Sequence, residues 1–200
     1  CRDSKIKKLV YSASSAAYGD TKQLPTPESH NFNPLSPYGL QKLIGEQYCR
    51  VFSEVYGLKT VCLRYFNVYG ERMSNRIGGA YRLIIPIWEE CTKENKPLTI
   101  TNDGNQSRDF IHAYDVARAN WLAVNNKNVI KGEPINIGSG KSTTINELAK
   151  MWGGEVKFIG NRLETRKMLA DITKAKDILG WEPTINLEEW IINYVKKLNK

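Results

Sequence analysis

The order of three segments constrains the fold of this chain more than any other feature. Residues 6–12 carry Ile6, Leu9, Val10 and Tyr11 and end in Ser12, while residues 60–66 read Thr-Val-Cys-Leu-Arg-Tyr-Phe, a β-branched and aromatic run. Between them, residues 38–56 place Leu40, Ile44, Val51 and Val55 at helical spacing. The outer segments are predicted strands, and the middle one a long helix with those four side chains facing inward. A helix joining two strands returns the second parallel to the first, so the pattern predicts an α/β fold on a parallel sheet.

Further elements follow along the chain. Helical spacing covers residues 81–94 and 115–124, and short strands are expected at 98–101, 134–137 and 156–159. Thr144-Ile145-Asn146-Glu147 has the form of a capping box and starts a helix running to Trp152. Residues 173–179 read as a short helix closed by Gly180. Leu187, Trp190, Ile191, Tyr194, Val195 and Leu198 form a clean helical stripe, which is a core face and not a cofactor box. There is no internal repeat and no low-complexity segment.

A chain of 200 residues with 41% hydrophobic content can bury a substantial core, as one domain or one with a small appendage. It has no apolar run long enough to span a membrane and no basic-then-apolar leader, so a soluble, cytoplasmic protein is expected. Cys1, Cys49, Cys62 and Cys91 form no Cys-x-x-Cys and read as reduced thiols, mostly in the core. With only two histidines, no metal site is expected. The net charge of +8 favours an anionic partner such as a nucleotide, a phosphorylated sugar or nucleic acid, without choosing among them.

Tyr-x-x-x-Lys occurs twice, at Tyr18/Lys22 and Tyr38/Lys42. The first lies in turn chemistry, Tyr-Gly-Asp-Thr-Lys, and runs into Pro25 and Pro27, so its members have no reason to share a face. In the second, Ser36 is a natural N-cap and Pro37 a natural first helical residue, which puts Tyr38 and Lys42 one turn apart on one side. Making a tyrosine a base near neutral pH takes about 4 kcal/mol, the cost of a shift of about three pKa units. An ammonium about 4 Å away at an effective dielectric near 20 supplies about that much. The same spacing also suits an ordinary amphipathic helix in which Tyr38 packs and Lys42 is solvated, so the neighbouring residues must decide. No Gly-x-Gly-x-x-Gly is present, and Gly138-Ser139-Gly140-Lys141-Ser142 only imitates a phosphate-binding P-loop, because Ile135 stands where its first glycine belongs.

Three blocks decide in favour of chemistry: residues 11–19 (Tyr-Ser-Ala-Ser-Ser-Ala-Ala-Tyr-Gly), residues 36–42 (Ser-Pro-Tyr-Gly-Leu-Gln-Lys) and residues 64–70 (Arg-Tyr-Phe-Asn-Val-Tyr-Gly). They resemble the extended short-chain dehydrogenase/reductases, and within them the NAD-dependent nucleotide-sugar epimerase/dehydratase family, of the type that epimerises UDP-glucose or UDP-N-acetylglucosamine at C4. Gly79-Ala80-Tyr81 with Ile85-Pro86, residues 104–112, residues 136–140, and Ala170-Asp171 leading to Leu179-Gly180-Trp181-Glu182-Pro183 match further blocks in family order. The resemblance implies the C-terminal part of a Rossmann-type parallel sheet plus a smaller α/β substrate-binding domain. Residues 1–70 would be the remaining part of the NAD-binding domain. Residues 71–200 would be mainly the nucleotide-sugar-binding domain, with segments around 98–137 returning to the Rossmann sheet. Because the family carries its glycine-rich fingerprint on an earlier strand, and this chain starts at Cys1, it is expected to be a fragment that by itself does not hold NAD productively.

Carried over residue by residue, the resemblance makes Tyr38 the general base and Lys42 the residue that binds the nicotinamide ribose. Ser14 would hydrogen-bond the reacting sugar oxygen, with Ser15 a near alternative, and Ser12 and Phe66 would lie along the cofactor. Asn67 would contact the substrate diphosphate. Leu83 and Ile84 would meet the nucleotide through their backbone, and Leu98 and Thr101 would hold the uracil end. Arg108 is implied as a diphosphate ligand, its alternative being a surface ion pair with Asp109, and His112 is expected to pack or cap. Asn161-Arg162-Leu163-Glu164 departs from the family's Arg-Pro-Gly-acid pattern, so Arg162 or Arg166 would replace the second arginine, with Glu164 at the acidic position. The positions between Ser14 and Tyr18-Gly19 are Ser15, Ala16 and Ala17, where dehydratases and decarboxylases of the superfamily usually carry an acid. Epimerisation of a UDP-sugar through a transient 4-keto form is therefore expected over dehydration or reduction on the same scaffold. A non-catalytic nucleotide or nucleic-acid binding module is the alternative from another class, but the basic residues show no aromatic interleaving, so no nucleic acid and no membrane partner is expected. The resemblance also implies a homodimer through the helix from Tyr38 to Tyr56.

Overall fold

The computed structural model describes residues 1–73, 83–162 and 164–199. Its first unit is the expected one. Strand β1 (Leu9–Ser14) leads through a short 3-10 turn at Ser15–Ala17 and a long loop into helix α1 (Pro37–Tyr56), which is followed by β2 (Thr60–Tyr65). The two strands pair in parallel, Leu9 with Thr60 through Ser14 with Tyr65. Ser36 accepts a hydrogen bond from the Gly39 N–H, Pro37 opens α1, and Gly57 closes it in the left-handed region at φ 67°.

Downstream come β3 (Asn67–Tyr69), α2 (Ile84–Lys93), β4 (Leu98–Ile100), β5 (Ser107–His112), α3 (Ala113–Asn125) and β6 (Lys131–Ile137). Then follow β7 (Ser142–Thr144), α4 (Ile145–Trp152), β8 (Val156–Phe158), α5 (Thr173–Leu179) and α6 (Leu187–Leu198). Among the described residues β6 joins the first sheet in the order β1-β2-β6, parallel to β2. Its Pro134, which has no N–H to give a ladder, therefore sits on the outer strand of that sheet. The region predicted as helix from residue 81 begins at Ile84 among the described residues; Gly79, Ala80 and Tyr81 lie outside them. Strands β3, β5 and β7 carry no strong alternation and were not anticipated.

Strand β2 shows why the sheet needs cover on both faces. Val61 and Leu63 join Ile111, Ala119, Ile135, Ile137 and Trp181 in one core under α3 and α5, whereas Cys62 joins Ala13 and Cys49 beneath α1. The alternation is the two-residue period of a pleated strand, and each fully buried aliphatic side chain contributes about 1.5–3 kcal/mol. A separate core gathers Trp88, Leu98, Ile100, Phe110, Leu148 and Ile191, and the stripe of α6 packs on it as expected. Among the described residues no helix is long and apolar enough to cross a membrane.

One expectation fails. Leu40, Ile44, Val51 and Val55, predicted inward, are all exposed. The side of α1 that meets the protein carries Gly39, Glu46 and Cys49 instead. An ideal Cβ at Gly45 would lie 2.1 Å from the Tyr11 hydroxyl oxygen, so this side is lined by glycine where the strand presents a large ring. The apolar period was real, but periodicity identifies a stripe and not what covers it.

Asp115 ties α3 to the loop before α6. Fully buried, it accepts hydrogen bonds from the Thr184 hydroxyl at 2.7 Å, from the Thr184 and Ile185 N–H groups at 3.0 Å each, and from Arg118 at 2.9 Å. Burial pushes its carboxyl up, but these donors outweigh burial and leave the pKa below its ordinary value. A depressed folded-state pKa gives stability that is present above the unfolded value of about 3.9 and is lost as pH falls through the folded one. Asp115→Asn is therefore expected to lower Tm at pH 7 and to narrow the Tm difference between pH 7 and about pH 2. Thermal melts across that range check it, and a variant as acid-sensitive as the parent would contradict it.

Candidate active site

The carboxyl end of β1 and the first turns of α1 converge. Ser14 ends the strand and caps the 3-10 turn, its hydroxyl oxygen accepting from the Ala16 N–H at 3.2 Å. That leaves the hydroxyl proton for donation to another group. Gly39 lets α1 close onto this turn, since a Cβ there would stand 2.6 Å from the Ala16 carbonyl oxygen. Tyr38, the residue before Gly39, is thereby held beside the serine turn and is 41% exposed. One turn on, Lys42 lies across the strand end. Its Nζ donates to the Ser12 carbonyl at 2.8 Å and sits 5.8 Å from the Tyr38 ring and 5.6 Å from the Tyr11 ring.

Ser12 is exposed, and its hydroxyl shares a 3.3 Å hydrogen bond with the Tyr65 hydroxyl, which donates to Asn120. Phe66 follows Tyr65 and is buried against Tyr18 and Ala170. Ser15 is buried beside Ser14. Asn67 opens β3 and donates to the Asp109 carbonyl at 3.4 Å. Ser12, Ser14, Tyr38 and Lys42 thus lie near the carboxyl end of β1, and Phe66 follows the carboxyl end of β2, the end of the sheet at which open α/β folds place their ligands.

The competing tyrosine is excluded from such a role. Tyr18 is fully buried, accepts from Arg64 at 2.7 Å and donates to Asn136 at 2.8 Å. Burial pushes its phenol up to about 12, so it remains a donor.

A second polar group lies around Glu164. Its carboxylate accepts from the Thr101 hydroxyl at 3.2 Å, from Asn102 at 2.9 Å, and from Arg108 in a short ion pair. Arg108 therefore pairs with Glu164 and not with Asp109. Asp109 points the other way, taking the Ser139, Gly140 and Ala170 N–H groups and the Ser139 hydroxyl. Arg166 forks onto Asp103 with two 2.7 Å bonds. Asn102, Asp103, Gln106, Arg162, Glu164 and Arg166 line an open cavity of about 470 Å³. Leu98 does not face it: its side chain is 3% exposed and fills the second core. Leu83 is exposed as the N-terminal flank of α2, and Ile84 packs partly on the same core. His112 accepts from the Tyr114 N–H at 3.1 Å and caps α3. Two features were missed from sequence, the buried Arg64–Glu46 pair and the Asp109 carboxylate, which ties the loops at Ser139–Gly140 and Ala170 to β5. The signal for the first was one arginine inside an otherwise apolar strand, because a buried charge requires a partner.

The NAD dependent epimerase/dehydratase family matches residues 1–138. The chain is 41% identical to a putative UDP-glucose 4-epimerase of Methanocaldococcus jannaschii, an alignment covering 98% of this chain and 65% of that protein. Among solved structures it superposes on the UDP-N-acetylglucosamine 4-epimerase of Methanobrevibacter ruminantium in complex with UDP-N-acetylmuramic acid. The TM-score is 0.89 at 37% identity, over 98% of this chain and 64% of that one. The UDP-glucuronic acid 4-epimerase of Bacillus cereus, in complex with UDP-glucuronic acid and NAD, gives a TM-score of 0.87 at 32% identity, over 99% and 64%. The chain thus spans less than two thirds of the length of these relatives. With the serine turn, the Tyr38–Lys42 pair and the parallel sheet beneath them, the match shows that this chain belongs to the NAD dependent epimerase/dehydratase family.

Proposed function

We propose that this chain carries the substrate-facing part of an NAD-dependent 4-epimerase of UDP-sugars. The observation that carries the reading is Tyr38, exposed beside the Ser14 turn, with Lys42 one helical turn away and anchored on the Ser12 carbonyl. The relatives named above carry the names of UDP-sugar 4-epimerases, one of them putative, and one is in complex with UDP-glucuronic acid and NAD.

The residues fit one end of that cofactor. Ser12, Tyr38, Lys42 and Phe66 would hold the nicotinamide and its ribose at the strand ends. Among the described residues no glycine-rich turn between a strand and a helix offers a seat for the pyrophosphate. NAD, when bound, supplies a reversible hydride acceptor. The chain's own part is proton handling and holding. Tyr38 takes the proton of the sugar 4-hydroxyl and returns it, Ser14 donates to that oxygen, and Lys42 places a positive charge beside the working phenol. Asn67, Arg108, Arg162, Glu164, Arg166 and Thr101 supply the polar side for a nucleoside diphosphate, Arg108 having the planar fork that suits one.

Ser15, Ala16 and Ala17 put no carboxylate between Ser14 and Tyr18, which favours inversion at C4 over loss of water. Proton NMR of the product tests this in the protein that carries this chain, supplied with NAD. Interconversion of gluco and galacto forms of a UDP-sugar is expected, and a dehydrated 4-keto product would overturn the reading. The exposed stripe Leu40, Ile44, Tyr48, Val51 and Val55 on α1 supports a homodimer through that helix. Sedimentation of a Val51→Lys variant is the check.

A further inference from the structure

We propose that Arg64 is a positioning residue for the Tyr38–Lys42 pair, fixing α1 against β1, which ends in Ser14, and β2, which leads into Phe66. The inference rests on the reading of Tyr38 as the proton acceptor. Arg64 is the penultimate residue of β2, 1% exposed, opposite Ala13 of β1. Its Nε and Nη2 fork onto the two oxygens of Glu46 on α1, at 2.9 Å and 2.5 Å. Its Nη1 donates to the Tyr18 hydroxyl at 2.7 Å and to the Glu28 carbonyl at 2.9 Å. The guanidinium is flanked by the rings of Tyr18 and Phe32, with centroids 4.9 Å and 4.8 Å away. Tyr18 passes the connection to Asn136 of β6.

One buried side chain thus links α1, the end of the serine turn, the loop that leads to Ser36, and through Tyr18 a third strand. Two facts argue that this is more than cohesion. First, a buried ion pair is often no more stabilising than apolar side chains of similar volume, so stability alone does not account for it. What the fork adds is direction, since both distance and plane are fixed, which a lysine cannot reproduce. Second, the adjoining contacts of α1 are made through Gly39 and Gly45, which have no side chains to interlock with the strand. Glu46 lies two turns beyond Tyr38, about 12 Å along the axis, so a tilt of about 10° at Glu46 would move Tyr38 by about 2 Å. Displacements of about 1 Å at a reacting group can cost about a hundredfold in rate.

The test uses the protein that carries this chain, supplied with NAD and a UDP-sugar. The double variant Arg64→Met/Glu46→Leu removes both charges and keeps apolar volume, and Arg64→Lys keeps charge without the fork. For the double variant the expected result is a native circular-dichroism spectrum, KM within about threefold of the parent, and kcat lowered at least about tenfold. Arg64→Lys is expected to fall between parent and double variant in kcat, again with KM little changed. A folded double variant with parental kcat overturns the proposal. If the double variant does not fold, Arg64→Lys decides, and parental kcat there overturns it equally. Tyr38→Phe is measured alongside: if it keeps its rate, the reading of Tyr38 fails and the proposal with it. An inactive Tyr38→Phe beside parental Arg64 variants defeats the positioning role alone.

Discussion

Tyr38→Phe is expected to lower kcat by roughly 10²–10⁴-fold, the usual share of a positioned acid or base, while UDP-sugar affinity changes by less than about threefold. The residue is 41% exposed, so the loss of one hydroxyl takes little from the packed core. Phenylalanine has no oxygen to accept the sugar proton. Ser14 is committed as an acceptor to the Ala16 N–H, and Lys42 is an ammonium donating to the Ser12 carbonyl. Tyr18, the tyrosine of the other Tyr-x-x-x-Lys, is buried and already bonded to Arg64 and Asn136. Steady-state kinetics with a calorimetric titration of the UDP-sugar separate the two effects. Turnover within about tenfold of the parent would remove Tyr38 from the mechanism. Lost binding together with lost turnover would assign it to substrate binding.

How much of this was legible in the sequence depends on which contacts are local. The start of α1 was readable because a cap is a property of adjacent residues, and Ser36 and Pro37 fell where the pattern put them. The capping box at Thr144 and Glu147 was equally local. The direction faced by Leu40, Ile44, Val51 and Val55 was not, because it depends on what the rest of the fold offers to each side of the helix. Here that partner surface holds Tyr11, Cys62 and Arg64, which call for glycine, cysteine and glutamate across from them. The same reason explains Arg108. Its sequence neighbour Asp109 was the obvious ionic partner, yet successive residues of a strand point to opposite faces, so the arginine pairs with Glu164, far along the chain. Leu98 was assigned from a block and not from its environment, and its burial in the second core leaves only its backbone for any ligand.

Gly39→Ala should separate the geometry of the site from its chemistry, because it alters no reacting group. In an isolated helix the change would gain about 1 kcal/mol. In this fold the added methyl would stand 2.6 Å from the Ala16 carbonyl oxygen and 3.2 Å from Pro34 Cβ. The first is backbone, held in the turn that Ser14 caps, and it cannot step aside without moving that serine. Overpacking of this kind costs about 1–3 kcal/mol, so the clash outweighs the propensity gain and Tm should fall. The larger effect falls on turnover. Relief comes most easily by lifting the first turn of α1, which carries Tyr38 away from Ser14, and a shift of about 1 Å there can cost about a hundredfold in kcat. Gly45→Ala is the matched comparison. Its methyl would meet the Tyr11 hydroxyl oxygen at 2.1 Å, the far end of a side chain that is only partly buried and can swing outward. The order expected in kcat is parent, then Gly45→Ala, then Gly39→Ala well below both, with all three folded by circular dichroism. Equal rates for Gly39→Ala and Gly45→Ala would show that the spacing between α1 and the serine turn does not set the rate.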